Sequence, residues 1–166
     1  MLLCGQLLSY ACMLDGKQVT WFPTYGAEVR GGAANCSVVI SDKAVGSPVI
    51  GITDILVACS QPSLDKFHKT VDAGGLVVYH SAIVRKVEKR SDVTYIGVDF
   101  SALANSLHFA RSANMVVLGL LAGITGVKRE HISQALKHRF ENMAANVIET
   151  NEKAIDLGIV EAEALK

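Results

Sequence analysis

The residues best suited to chemistry stand together in one run, Thr24-Tyr25-Gly26-Ala27-Glu28-Val29-Arg30-Gly31-Gly32, which continues into Ala33-Ala34-Asn35-Cys36-Ser37-Val38-Val39-Ile40-Ser41. The first part offers an aromatic ring, a carboxylate, a guanidinium and three glycines. Glycine lets backbone approach a ligand or a second chain closely and adopt positive φ. Arg30 presents a planar, permanently charged fork matched to carboxylate or phosphate. The run lies between two strand-like stretches, so it reads as a loop that carries function. Taken alone, its residues admit two readings equally. One is a structural turn in which Glu28 pairs with Arg30; the other is a loop that meets a ligand or partner.

The remaining candidates are weaker. Asn114 opens an apolar helical stretch, where an N-cap satisfying orphan amides is the plain reading and a ligand or partner contact the alternative. Ser60-Gln61-Pro62-Ser63 follows an apolar strand, a position where α/β sheets bind ligands. It serves equally to start the next helix. His68, His80, His108, His131 and His138 make no metal-binding spacing and are expected mostly on helix surfaces, with His80 satisfied at a strand end. Cys4, Cys12, Cys36 and Cys59 form no Cys-x-x-Cys pair, which points to buried free thiols and not to a zinc or cluster site. The chain has no nucleophile elbow, phosphate-binding Walker loop or paired-carboxylate arrangement.

The elements that must position these residues follow from periodicity. Leu2 to Leu14 reads as a helix stopped by Asp15-Gly16. Val19 to Phe22 reads as a strand ended by Pro23, and Asn35 to Ser41 as the next strand. Ile55 to Cys59 is apolar throughout, the pattern of a strand buried on both faces. A helix is expected over Leu64 to Val71, a turn at Gly74-Gly75, then strands over Leu76 to Tyr79 and Val93 to Phe100. Ser101 to Phe109 follows as helix. The last third is helical: Asn114 to Ile124, with Gly119 and Gly123 as close-packing positions, then Lys128 to Phe140, then Asn142 to Leu157 stopped by Gly158. This alternation predicts one α/β domain over residues 1–166, a three-layer α/β/α fold with a mostly parallel or mixed sheet and a helical C-terminal third.

Composition narrows the partners. Sixteen Lys and Arg balance sixteen Asp and Glu, so no overall field favours nucleic acid or an acidic membrane. Half the residues are apolar, which with zero net charge suits a protein that hides surface against partners. No apolar run reaches bilayer length, and the opening residues do not read as a signal peptide.

The segment Tyr-Gly-x-Glu-x-Arg-Gly-Gly, the run Ala-Asn-Cys-Ser-Val-Val-Ile-Ser and Gly46-Ser47-Pro48 together resemble the γ subunits of 2-oxoacid:ferredoxin oxidoreductases. The variant is most similar to the 2-oxoglutarate and branched-chain 2-oxoacid enzymes. Asn114-Met115-Val116-Val117-Leu118-Gly119 and Asn151-Glu152-Lys153-Ala154-Ile155-Asp156-Leu157-Gly158 fit the family's C-terminal half. Members normally begin with a strand and a Gly-x-Gly-Gly-Gln-Gly loop. This sequence opens at Met1-Leu2-Leu3-Cys4-Gly5-Gln6-Leu7-Leu8, which resembles the helix after that loop, so the loop's contacts are not expected from these residues.

The resemblance implies a positional role within an oxidoreductase that decarboxylates a 2-oxoacid on thiamine diphosphate, passes electrons through iron–sulfur clusters to ferredoxin and delivers the acyl group to coenzyme A. It implies no cofactor bound by this chain alone. Thiamine diphosphate, Mg, the clusters and coenzyme A belong to the whole complex of thiamine-binding α and β subunits and a ferredoxin-type δ subunit, in a cytoplasm. Tyr25, Gly26, Glu28, Arg30, Gly31, Gly32 and Asn114 become the candidate cofactor-facing residues. Two alternatives remain: a stand-alone nucleotide- or coenzyme A-binding module, and a shortened, catalytically idle copy. In isolation, homo-oligomers are expected.

Overall fold

The computed structural model describes residues 1–24 and 34–165. Its elements run α1 (Leu2–Leu14), β1 (Gln18–Thr24), β2 (Asn35–Ser41), β3 (Thr53–Ala58), α2 (Gln61–Phe67), β4 (Val71–His80), β5 (Thr94–Val98), α3 (Phe100–Ser106), α4 (Ala113–Thr125), α5 (Arg129–Arg139) and α6 (Ala145–Ala164). Short 3₁₀ turns follow α2 at His68–Thr70 and precede α4 at Ala110–Ser112. The described residues group into one unit of 1–24, 34–48 and 100–165 and another of 49–99. The α/β class and the helical last third are as expected.

In the first unit, α4 is apolar all round, and Met115, Val116, Val117, Leu118, Leu120 and Ala122 are buried. Such a helix must be covered on several sides; α1, α3 and α6 pack against it. Its contact with α6 is backbone against backbone. A Cβ at Gly119 would lie 1.9 Å from the Ile155 carbonyl oxygen, and one at Gly158 would lie 2.0 Å from that of Val116. Gly158 was expected to stop its helix, yet α6 runs on to Ala164. The missing side chain serves the crossing, and the helix absorbs its propensity cost of about 1 kcal/mol. α4 ends at Gly126, whose left-handed φ of +74° and N–H bond to the Ala122 carbonyl make an ordinary C-terminal cap.

β1 and β2 form an antiparallel pair from Gln18↔Ser41 to Thr24↔Asn35. Pro23 does not end β1 but pairs with Cys36 inside it. The described ladder has only these two strands, so a missing N–H at an outward position costs nothing.

The second unit holds a parallel sheet of order β3-β4-β5. Val77 and Val78 of β4 are both wholly buried, and neighbours in a strand point to opposite faces, so β4 is covered on both. β3, expected to be covered the same way, is only half-buried because it forms an edge of the described sheet. Gly74-Gly75 is not a turn. It lies inside β4, where pairing jumps from Thr53↔Val71 to Ile55↔Leu76 and Gly74 takes φ +80°. The glycines let the strand bulge without leaving the sheet. The expected helix over Leu64 to Val71 starts earlier, at Gln61, and ends in the 3₁₀ turn before Val71 enters β4. Likewise α3 stops at Ser106, short of the expected Phe109, and His108 follows with φ 55°.

The glycine crossing generates a sharp expectation. Gly119→Ala or Gly158→Ala forces the two helix backbones apart and is expected to cost about 3 kcal/mol or more, the upper end for overpacking. Gly126→Ala, with open space around it but a left-handed backbone, is expected to cost about 1 kcal/mol. Urea unfolding midpoints rank the three variants, and equal midpoints for Gly119→Ala and wild type would refute the crossing.

Candidate functional site

Tyr25, Gly26, Glu28, Arg30, Gly31 and Gly32 lie outside the described residues. Their supports are described. β1 and β2 bring the two ends of the segment together at the Thr24↔Asn35 pair. This stem is pressed onto the first turn of α1: a Cβ at Gly5 would sit 2.6 Å from Cys36 Sγ and 3.2 Å from Trp21 Nε1. Gly5 is therefore a contact position, a role visible in sequence only as an odd glycine inside a helical pattern. At its other end α1 is tied to α5, since Asp15 Oδ1 lies 3.2 Å from both Lys128 Nζ and His131 Nδ1.

Asn114 is not an N-cap. It is the second residue of α4, with Ser112 in the capping position. Ser112 makes no side-chain cap, because the 3₁₀ turn runs straight into the helix and its N–H already bonds the Phe109 carbonyl at 3.0 Å. Asn114 is half-buried and makes no side-chain hydrogen bond among the described residues.

Ser60 does start a helix. Its Oγ accepts the Ser63 N–H at 3.3 Å, and Pro62 occupies the first turn of α2. Gln61 works harder: its Oε1 takes the N–H groups of Arg85 and Lys86, both at 3.0 Å, while its Nε2 donates to Asp65 and to the Lys86 carbonyl, both at 2.8 Å. Sequence reasoning gave Gln61 no role of its own, since Arg85 and Lys86, which take three of its four bonds, lie more than twenty residues away.

The histidines are less exposed than expected. His68 and His80 are buried, and His131 sits against Asp15. Exposed His138 stacks on Tyr10, centroids 5.2 Å apart and 14° from parallel. That stack lines a cleft of about 520 Å³ in the first unit, between α1 and the end of α5. Arg139 lies 5.9 Å over the Phe140 ring at the same cleft. A second cleft, of about 350 Å³, lies in the other unit and is walled by α2, His68, Lys69, Lys86 and Glu88. Among the described residues no group of three or more His, Cys, Asp or Glu is placed to hold a metal ion.

The thiols are free, but only Cys4 and Cys12 are buried; Cys36 and Cys59 are half-buried. Burial, reinforced by the Asp15 charge, pushes Cys12 up to about 11. Burial also raises Cys36, with the nearby Trp21 indole acting in the opposite direction, and raises Cys59. These shifts describe inert thiols, poor nucleophiles at neutral pH.

The comparisons with known proteins agree with this architecture. Residues 1–161 match the family described as pyruvate ferredoxin/flavodoxin oxidoreductase. The chain belongs to that family. The ketoisovalerate oxidoreductase subunit VorA of Methanothermobacter marburgensis is 37% identical over 156 residues, which is 93% of this chain and 32% of the relative. The chain thus spans about a third of the length of the curated relatives it matches first. The structure of a keto/oxoacid ferredoxin oxidoreductase gamma subunit from Geobacter sulfurreducens matches with TM-score 0.83 and 30% identity, over 98% of this chain and 91% of that one. A 2-oxoglutarate:ferredoxin oxidoreductase from Magnetococcus marinus, solved with 2-oxoglutarate, coenzyme A and succinyl-CoA bound, gives TM-score 0.88 at 26% identity, over 98% of this chain and 29% of that one.

Cys12 supplies a pH test. A thiol that ionises near 9.0 when unfolded but near 11 in the fold stabilises the fold below pH 9.0. That contribution, on the order of 2–3 kcal/mol, drains away as pH rises from 9.0 to about 11. Unfolding free energy measured across that window is expected to fall less steeply in Cys12→Ala than in wild type. Identical slopes would discard the assignment.

Proposed function

We propose that the chain is the γ-type subunit of a thiamine-dependent 2-oxoacid:ferredoxin oxidoreductase, acting on 2-oxoglutarate or a branched-chain 2-oxoacid in the cytoplasm. The observation that carries this reading is the match over nearly the whole chain to a gamma subunit of similar length. The Magnetococcus enzyme binds coenzyme A and succinyl-CoA, and the same acyl product class follows here by analogy. In this reading thiamine diphosphate, Mg and iron–sulfur clusters belong to α, β and δ partner subunits.

This chain's contribution is position and charge. The β1–β2 pair, packed on Gly5 of α1, holds Thr24 and Asn35 together, and in this reading the residues between them, Tyr25 to Gly32, serve a neighbouring subunit. In this reading Arg30 and the Gly31-Gly32 amides face the junction and steer an anionic group of coenzyme A or substrate, as a guanidinium and close backbone N–H groups do elsewhere. Tyr25, Gly26 and Glu28 shape that approach. Asn114, half-buried at the start of α4, is in this reading a second contact residue.

Co-expression with the thiamine-binding and ferredoxin-type subunits tests the reading. A stable complex that reduces ferredoxin in a 2-oxoacid- and coenzyme A-dependent manner is expected. Within it Arg30→Ala should raise the KM for coenzyme A about tenfold, the loss of one charged hydrogen bond. Failure to co-assemble would sink the subunit assignment. An assembled Arg30→Ala complex with unaltered turnover and coenzyme A dependence would sink only the role of the segment.

A further inference from the structure

The second unit carries a charge arrangement that the reading above does not use. Residues 61–71 and 84–90 hold six Lys or Arg against two acids, Asp65 and Glu88, in a chain whose charges sum to zero. Two of the six are neutralised nearby: Lys86 pairs with Glu88 at 2.7 Å and Arg90 with Asp92 at 2.5 Å. Lys66, Lys69, Arg85 and Lys89 are exposed and make no ion pair among the described residues. The Lys66 ammonium lies 5.2 Å over the Phe67 ring, a contact that leaves its charge facing outward.

The backbone under these cations is fastened with unusual care for a stretch with no helix or strand. Gln61 makes all four of its side-chain hydrogen bonds, three of them to the backbone of residues 85 and 86. At the other end Arg90 Nη1 donates to the Val71 carbonyl at 2.6 Å, and the Arg90 N–H reaches Tyr95 Oη at 3.4 Å. The turn is thus clamped along α2 and the start of β4. A surface whose backbone is already ordered loses less freedom when a partner binds.

We propose that this clamped basic ridge, Lys66, Lys69, Arg85 and Lys89, is a docking surface for an acidic protein face. A small anion fits less well, because Asp65 and Glu88 both line the 350 Å³ cleft beside the ridge and cancel its positive charge. Nucleic acid fits less well too. The ridge offers one aromatic ring, Phe67, already covered by Lys66, where single-strand binders need open stacking platforms. Exposed cations of this kind steer association and set its salt dependence more than its final strength.

The test uses the full chain and dye-labelled poly-L-glutamate, with a duplex DNA of matched charge and sedimentation of the chain alone as parallel arms. Poly-glutamate is expected to bind in low salt, to weaken as salt rises, and to bind at least about tenfold less tightly to Lys66→Glu/Lys69→Glu/Lys89→Glu. Lys43→Glu/Lys137→Glu, reversed at exposed positions of the other unit, should bind like wild type. No binding, equal loss in both variants, DNA bound as tightly as poly-glutamate, or self-association abolished by the ridge reversal would each overturn the proposal. Because no partner subunit is used, its failure is separable from failure of the subunit assignment.

Discussion

The structure of the first unit depends on two helices whose backbones touch. With only hydrogen at positions 119 and 158, α4 and α6 approach until each glycine meets a carbonyl of the other helix. Side chains flanking the contact then pack at both ends: a Cβ at Gly123 would lie 2.5 Å from the Ala162 Cβ, which extends the same narrow seam toward the end of α6. Because α4 is buried on all sides, fixing it against α6 also fixes what leans on its other faces, namely α1 and α3. α1 in turn grips the β1–β2 stem through Gly5. The described ends of the segment, Thr24 and Asn35, are therefore held by a chain of contacts that begins at a glycine seam.

Charged groups add joints to that packing and supply little of its driving force. Arg129 on α5 reaches both Glu152 and Asp156 of α6, and Ser133 bonds the same glutamate. Desolvation works against the Arg129 charge, while its two carboxylate partners outweigh that cost and raise its pKa. Exposed pairs such as Lys17–Asp42 and Lys153–Glu149 sit in water and contribute little. Asp15 is different in kind, because one carboxylate oxygen takes contacts from Lys128 and His131 and so joins the end of α1 to the start of α5.

Much of this was legible in the sequence wherever a local pattern decided the outcome. α1 and β2 lie where periodicity put them, and the apolar run of α4 announced a buried helix. Misreadings share one cause: glycine and proline were taken as punctuation. Pro23, Gly74-Gly75 and Gly158 all sit inside elements, and each is there for a partner distant in sequence. Pro23 lies in a ladder of two described strands, Gly74 permits a bulge, and Gly158 admits another helix. Asn114 was misassigned as a cap for a related reason, since the 3₁₀ turn before it had no signature of its own. Gln61 was invisible as a staple because its bonds cross to residues 85 and 86.

The same physics explains why the chemistry here is so sparse. Half-buried polar groups among the described residues are spent on structure: Gln61 on a turn, Arg129 on a helix pair, Asp15 on a joint. The thiols are held protonated by burial, and Cys36, nearest the capable segment, is packed against glycine and indole. A fold that commits its polar residues this way offers shape and fixed charge and keeps few reactive groups of its own. Arg129 shows the pattern: its guanidinium stays charged at physiological pH and holds the Glu152 and Asp156 carboxylates of the neighbouring helix in place.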